Sequence, residues 1–437
     1  MVFRNIISIN YLKFIYKIIP SIMSMILLSF YSAIDGFFVA RYVNSDALAS
    51  INIVIPAICL IFGTAVMLAT GSSAIIGELL GQNNQRKANQ IFSQTVCFLL
   101  IIGIVFTLIA IINLDKLALL LGSSQQLLPY VLSYLKITII SIIPMLFKLY
   151  FEYLARTDNN PKISLIMAGT GFILNICLNY LFIIYYNLGI LGVGLGTIIS
   201  ITISTLIGLI YFLKFSHLKF IKFKWDYFNL LKSITNGSSE MLIELSTGIV
   251  TFIFNLIVYK LYGDDGIAAM AIIMNIYYFF ISFFMGIAVA TAPMISYCYG
   301  SKNIKQIKVI LKYSFITIII TSITTVLISI LGGQNIIGIF VNLGNVFNIS
   351  NQALNIFCWL FMFIGFNVFL SSYFTALGNG FISALISILR SLILVIIFVI
   401  VLPKLLGNVG FWLAMPAAEL FTIVVALICY KLFPINY

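Results

Sequence analysis

Apolar positions run in long unbroken stretches along this chain, without the alternation of strands or the one-sided stripes of soluble helices. Stretches of about 20 apolar residues, the length that crosses hydrocarbon, predict twelve helices. They lie near residues 17–40, 47–80, 91–113, 127–154, 163–186, 190–213, 236–260, 265–297, 311–332, 352–376, 381–402 and 409–431. The second and eighth exceed the need of a bilayer and are expected to tilt or protrude. Midway, the polar stretch from Lys214 to Lys232 interleaves lysines with aromatics. It reads as a basic linker, residues 214–235, resting on anionic headgroups, and divides an N-lobe (1–213) from a C-lobe (236–437). The N-terminal stretch carrying Arg4, Lys13 and Lys17 looks only superficially like a signal peptide, because lysines interrupt it and no small-residue cleavage site follows. It is expected to be retained.

Composition agrees with the pattern. Of 437 residues, 62% are apolar and 8% charged, with a mean hydropathy of +1.15. Such a chain cannot clothe itself for water. The fold class is therefore an all-α polytopic membrane protein. Seventeen of the 24 Lys and Arg residues fall on the side of the N-terminus and four on the other. This positive-inside bias predicts a multi-pass protein of the cell membrane with both termini cytoplasmic. The net charge of +12 has no clustered basic face on a soluble domain behind it, so a nucleic-acid partner is not expected. The six cysteines lie singly in apolar stretches, which argues for neither disulfides nor a metal site. Without a Walker sequence, a GxSxG elbow or an HExxH, neither ATP use nor enzyme chemistry is expected. The glycines of GVGLG (Gly192, Gly194, Gly196) open a span and read as close helix packing.

The halves repeat at an offset of 219. Ala49 meets Ala268, Gly81 meets Gly300, Asn84 meets Asn303, Asn160 meets Asn379 and Ser164 meets Ser383. The Gly, Asn and Ser matches fall in loops, where composition does not force them. Six spans per copy bring both copies in from the same side, giving two six-helix lobes related by a parallel pseudo-two-fold axis along the membrane normal. Two such lobes around a cleft suit alternating access.

A charge in mid-span costs about 2.5–3.5 kcal/mol on insertion scales, which makes each one a functional candidate. Asp35, Glu240, Glu244, Glu419, Lys136, Lys148 and Arg390 qualify, whereas Glu78 and Glu152 read as interfacial. The one histidine, His217, lies in the linker, so a proton carrier is expected to be a carboxylate. Asp35 has no basic residue within a helical turn and ranks first. Glu240 and Glu244, at i and i+4, share a face. Charged together they would repel by about 3 kcal/mol at an effective dielectric near 20, so at least one is expected to hold an exchangeable proton. Pro20, in the same span as Asp35, is a candidate hinge.

These residues resemble a known family. Asp35-Gly36-Phe37-Phe38-Val39-Ala40-Arg41 followed by Ala47-Leu48-Ala49, RTDNNPK at Arg156 to Lys162, the segment Ala292 to Gly300, Arg390, and PAAE at Pro416 to Glu419 are similar to the multidrug and toxic compound extrusion (MATE) transporters, nearest their MepA-like branch. The resemblance implies a secondary active antiporter that exports amphipathic organic cations, driven by H⁺ or Na⁺, with no cofactor. It also implies an N-lobe cation site on spans one, five and six, at Asp35, Asn175, Asn179 and Thr197. Asn179 stands where the family usually has Asp, which leaves one formal carboxylate and favours H⁺ over Na⁺ as coupling ion. Glu240 and Glu244 are second-lobe candidates, and Pro20 matches a proline that bends span one in part of the family. The expected partners are cationic drugs or dyes and the bilayer, with the chain a monomer. The alternative of the same shape is a flippase for lipid-linked oligosaccharide or peptidoglycan precursors, which would call for several arginines in the cleft.

Overall fold

The computed structural model describes residues 10–341 and 343–433; Arg4 lies outside them. The described chain is built of α1 (Tyr11–Tyr42), α2 (Ser45–Gly81), α3 (Gln85–Ile112), the short α4 (Leu114–Leu120), α5 (Leu128–Thr157), α6 (Pro161–Asn179) and α7 (Gly189–Lys214). After them come α8 (Tyr227–Gly300), α9 (Ile304–Gly338), α10 (Asn345–Phe357), α11 (Ile364–Ala376), α12 (Gly380–Ile388), α13 (Leu394–Leu406) and α14 (Asn408–Leu432). A π-helical stretch (Tyr180–Tyr185) continues α6 and another (Leu389–Ile393) joins α12 to α13, while a 3₁₀ turn (Cys358–Met362) joins α10 to α11. Among the described residues, eleven continuous runs are long and apolar enough to cross a membrane. The longest, α8, breaks at Gly263 (φ 66°, ψ −149°), a conformation that the missing Cβ permits. Its arms, 227–262 and 264–300, are two spans, and the protein is a twelve-span all-α membrane protein.

The duplication is written into the turns. Asn83 and Lys302, 219 residues apart, are both left-handed (φ 59° and 57°), as are Asn159 and Gly378 (φ 59° and 77°). Each is followed by an asparagine whose N–H reaches back to a carbonyl five residues earlier: Asn84 to Leu79, Asn303 to Cys298, Asn160 to Ala155 and Asn379 to Phe374, all at 2.9 Å. This is the Schellman way of satisfying the last carbonyls of a helix. The same asparagines then start the next helix: the side chain of Asn84 accepts from Lys87 N–H at 3.2 Å and that of Asn303 from Gln306 N–H at 3.1 Å.

The linker is shorter than the expected 214–235. Residues 215–226 lie between helices, and α8 begins at Tyr227 because Asp226 caps it, accepting from the Asn229 backbone N–H at 3.1 Å and its side-chain amide at 2.6 Å. The donated amide holds the Asp226 carboxyl below the usual carboxylate range.

The lobes meet at the face that carries both described ends of the chain. There α2 lies against both arms of α8 with glycines at the crossings. A Cβ on Gly71 would stand 1.8 Å from the Ser233 carbonyl oxygen, and one on Gly237 would stand 1.8 Å from that of Met67. Gly81 and Gly300 repeat the arrangement reciprocally, facing the carbonyls of Tyr297 at 2.1 Å and Glu78 at 1.9 Å. Backbones this close exchange Cα–H···O contacts and dispersion that a larger residue would forbid. The lobes are thus sealed together at the face of the termini, and the next turns enclose a cavity lined by both, from Thr70 and Tyr153 on one side to Met285 and Thr375 on the other.

Gly71→Ala or Gly237→Ala is therefore expected to open that seal. Overpacking costs about 1–3 kcal/mol, enough to move the ratio of closed to open lobes roughly 5- to 150-fold. Spin-label distances across the face of the termini measure it, and unchanged distances in both variants refute it.

Candidate functional site

Asp35 lies two turns before the end of α1 and is 9% exposed. Its Oδ1 accepts from Asn175 Nδ2 at 3.0 Å and Asn179 Nδ2 at 2.7 Å, and its Oδ2 accepts from Thr197 Oγ1 at 3.1 Å. The asparagines, i and i+4 on α6, present one face, and Asn175 also donates to Thr197 Oγ1 at 3.3 Å. All four sequence-predicted N-lobe residues thus form one cluster. Among the described residues, the ion pairs are Lys148 with Glu152 and Arg390 with Glu419, so no basic group pairs with Asp35. Three neutral donors carry its charge. The Asn179 Oδ1 is buried with no donor.

The GVGLG glycines make room for this cluster. A Cβ on Gly196 would sit 2.5 Å from Asn179 Oδ1, while Gly194 faces Ile137 at 2.6 Å and Gly192 faces Phe182 at 3.1 Å. Where a helix turn ends at Asn179, the chain passes into the π-helical stretch Tyr180–Tyr185. Sequence reasoning missed Tyr31, one turn before Asp35 on α1. Its hydroxyl bonds Ser200 Oγ and the Thr197 carbonyl, tying α1 to α7 beneath the carboxylate. Its spacing of four from Asp35 was the available signal.

Glu240 and Glu244 lie elsewhere, on the first arm of α8 and half-buried. Glu240 stands one turn beyond the Gly237 crossing, on the floor of the cleft, where it lines a cavity with Thr70, Ser73 and Tyr153 of the N-lobe and Met285 and Thr375 of the C-lobe. Glu244 packs beside Gly63, whose Cβ would lie 3.2 Å from its own. Neither has an ion-pair partner among the described residues. Pro20 sits within α1, which continues as one helix through it; close by, Ile22 meets Gly286 of α8, whose Cβ would be 2.5 Å from the Ile22 Cα.

The remaining in-span charges are mostly paired. Glu152 is not interfacial: it is buried at 2% exposure beside Lys148, with Nζ to Oε1 at 3.3 Å. Their i, i+4 spacing on α5 was the readable sign. Arg156, in the last turn of α5, points inward to Ser24 Oγ at 2.8 Å. Lys136 is exposed, two turns into α5. In the C-lobe, Arg390 NH1 meets Glu419 Oε1 at 3.2 Å, and Asn367 Nδ2 donates to Glu419 Oε2 at 2.6 Å. By the offset of 219, Asn367, Arg390 and Glu419 correspond to Lys148, Gly171 and Ser200. Equivalent positions thus hold different charges in the two lobes.

Two consequences are measurable. Gly196→Ala is expected to displace Asn179 from Asp35 and to lower transport with the protein still inserted, whereas Gly36→Ala, in open space, leaves transport intact; equal rates in both refute the placement. Arg390→Ala leaves Glu419 buried and unpaired, which typically costs about 3–5 kcal/mol. Thermal unfolding in detergent is expected to occur at a clearly lower temperature, with Glu419→Gln in the same chain recovering part of the loss.

Comparison with known proteins places this architecture. The MatE family model matches residues 20–181 and again 241–401, one match in each lobe and together well over half of the chain. The multidrug export protein MepA of Staphylococcus saprophyticus is 25% identical over 420 residues, covering 95% of this chain and 92% of that protein. A MATE crystallised in complex with MaL6 superposes with a TM-score of 0.93 at 19% identity, covering 98% of this chain and 97% of the other. An outward-facing multidrug resistance MATE transporter of the MOP superfamily gives 0.92 at 20% identity, with the same coverage. The chain belongs to the MATE family of membrane transporters, in its MepA-like branch.

Proposed function

We propose that this protein is a multidrug efflux antiporter, exporting amphipathic organic cations in exchange for H⁺ that enters through Asp35. The observation that carries this reading is the buried carboxylate held by two amides and a hydroxyl, with no ion-pair partner among the described residues. In this geometry every donor points at an acceptor. A proton on Asp35 turns one of its oxygens into a donor, so Thr197 or an amide loses its partner until a side chain turns over, and Asn179 has an unpaired Oδ1 to present. Leaving one donor unsatisfied costs about 1–3 kcal/mol, enough to re-aim α1 against α6 and α7 and to bias the lobes roughly 5- to 150-fold. Pro20, two residues before the Ile22 contact with α8 and fifteen before Asp35 on the same helix, is the hinge of that movement.

The cargo site of this reading is the cleft floor. Among the described residues Glu240 and Glu244 lack ion-pair partners, and Glu240 shares its cavity with the hydroxyls of Thr70 and Ser73 and with Tyr153, a setting that attracts an organic cation. Proton coupling is favoured over sodium because both asparagines turn their amide nitrogens to Asp35, leaving the Thr197 hydroxyl as the one oxygen bonded to it, and only one formal carboxylate is present. The flippase reading loses ground because Arg390 is engaged by Glu419 and Arg156 by Ser24. Placing the termini in the cytoplasm follows the basic bias of their face, and the sealed cleft then opens outward.

Efflux of cationic dyes from vesicles, with pH and Na⁺ gradients imposed separately, tests the coupling. Asp35→Asn is expected to abolish pH-driven efflux while the protein stays inserted, and wild-type efflux is expected to ignore sodium. Unchanged pH-driven efflux in Asp35→Asn overturns the proposal.

A further inference from the structure

The connection between the lobes is not a loose tether. Five polar side chains on α3, at 85, 89, 90, 93 and 94, form one stripe whose spacing matches the helical period, and this stripe grips the backbone of residues 217–226. Gln85 Nε2 donates to the His217 carbonyl at 2.9 Å, and Asn89 Oδ1 accepts from Lys219 N–H at 3.1 Å. Ser93 Oγ accepts from Ile221 N–H at 3.0 Å, and Gln90 Nε2 donates to the Lys224 carbonyl at 3.0 Å. Gln94 closes a two-way pair with Asp226, accepting at 2.8 Å and donating at 3.0 Å. Asp158 holds the start, taking the His217 N–H at 3.2 Å.

An extended chain fixed by its backbone must sort its side chains to two sides. Ser216 and Leu218 are buried, with Ile221 and Phe223 half-buried, while Lys219, Lys222 and Lys224 are exposed. Trp225, 38% exposed, stacks on Tyr227 at 6.3 Å and meets Phe223 edge-on at 5.3 Å. The depth follows from α3. Its 28 residues span about 42 Å, some 12 Å more than a hydrocarbon core of about 30 Å. The excess belongs at the polar end, where the stripe lies, so the pinned lysines and the Trp225 ring stand at headgroup level.

The geometry points to a binding surface for anionic phospholipid along residues 219–225, in which Lys219, Lys222 and Lys224 take the headgroup phosphates and Trp225 inserts beside the acyl chains. Charge complementarity commits the surface to this occupant: three exposed cations are held outward in the stretch, while the carboxylates at its two ends are engaged, Asp158 with Tyr211 and the His217 N–H and Asp226 with Asn229. Pinning removes much of the ordering cost that a free linker would carry. The surface rests on the cytoplasmic placement of the termini proposed above only for which leaflet supplies the lipid; the binding itself does not depend on Asp35 coupling.

Full-length protein in nanodiscs, with brominated phosphatidylglycerol or brominated phosphatidylcholine at equal mole fraction, provides the test. The signal is the difference in tryptophan quenching between wild type and Trp225→Phe, which isolates Trp225 and needs no transport. Phosphatidylglycerol is expected to be preferred at Trp225 by roughly fivefold or more, about the contribution of one lysine at an anionic surface. Replacing Lys219, Lys222 and Lys224 with Gln removes the preference, and replacing all three with Arg keeps it. Equal quenching by the two lipids in the wild type overturns the proposal, as does a preference that survives the Gln variant or fails in the Arg variant. A wild-type preference erased by millimolar inorganic phosphate in the buffer also overturns it, assigning the lysines to a soluble anion.

Discussion

A carboxylate at hydrocarbon depth without a cation is costly by several kcal/mol, and the N-lobe is arranged around meeting that cost with dipoles alone. Hydrogen bonds to a charged group contribute about 1.5–3 kcal/mol each, so the three donors on Asp35 offset most of it. That arrangement constrains everything near it. Asn175 and Asn179 must share a face of α6, α7 must approach within reach of Thr197, and only a residue without a Cβ fits at Gly196. A group stabilised by neutral dipoles stays sensitive to a proton; one clamped by arginine, as Glu419 is, does not.

The two lobes share a scaffold and differ in what they bury. Counted at the offset of 219, Asp35, Asn175, Asn179 and Thr197 correspond to Phe254, Leu394, Phe398 and Pro416. The C-lobe therefore has no counterpart of the dipole-held acid. In its place it carries the Arg390 and Glu419 pair with Asn367, closed on itself and buried. On the proposed function, the asymmetry would divide the labour, one lobe titrating and the other, with Glu240 and Glu244, facing cargo.

Much of this was legible in the chain. Hydropathy marks every span, and the break at Gly263 falls in a Gly-Asp-Asp-Gly stretch that no helix interior favours. The repeat was visible in its Gly and Asn residues because helix ends and close crossings restrict them: Gly81 and Gly300 meet facing backbone, and Asn84, Asn303 and Asn379 cap helices just after a left-handed residue. The Asp35 cluster came from likeness to a family, since nothing in the spacing of Asp35 to Thr197 reveals proximity across three helices. Glu152 was misread because hydropathy counts charges along the sequence and ignores which way the last turns of α5 point; it turns inward, as does Arg156. Tyr31 was missed for a simpler reason: its spacing of four from Asp35 is a weak signal, as tyrosines in apolar spans are common and only the fold selects this one.

The four matched Schellman turns carry a consequence for how such a molecule changes over generations. Turn residues such as Asn83, Asn159, Lys302 and Gly378 set the handedness and order of crossing at the water boundary, and they overlap with none of the residues that set interior polarity. Inheritance can act on each set separately. One half of a duplicated ancestor could lose its acid and acquire a guanidinium lock while its route through the bilayer stayed fixed, so diversification of chemistry would proceed without reinventing the topology.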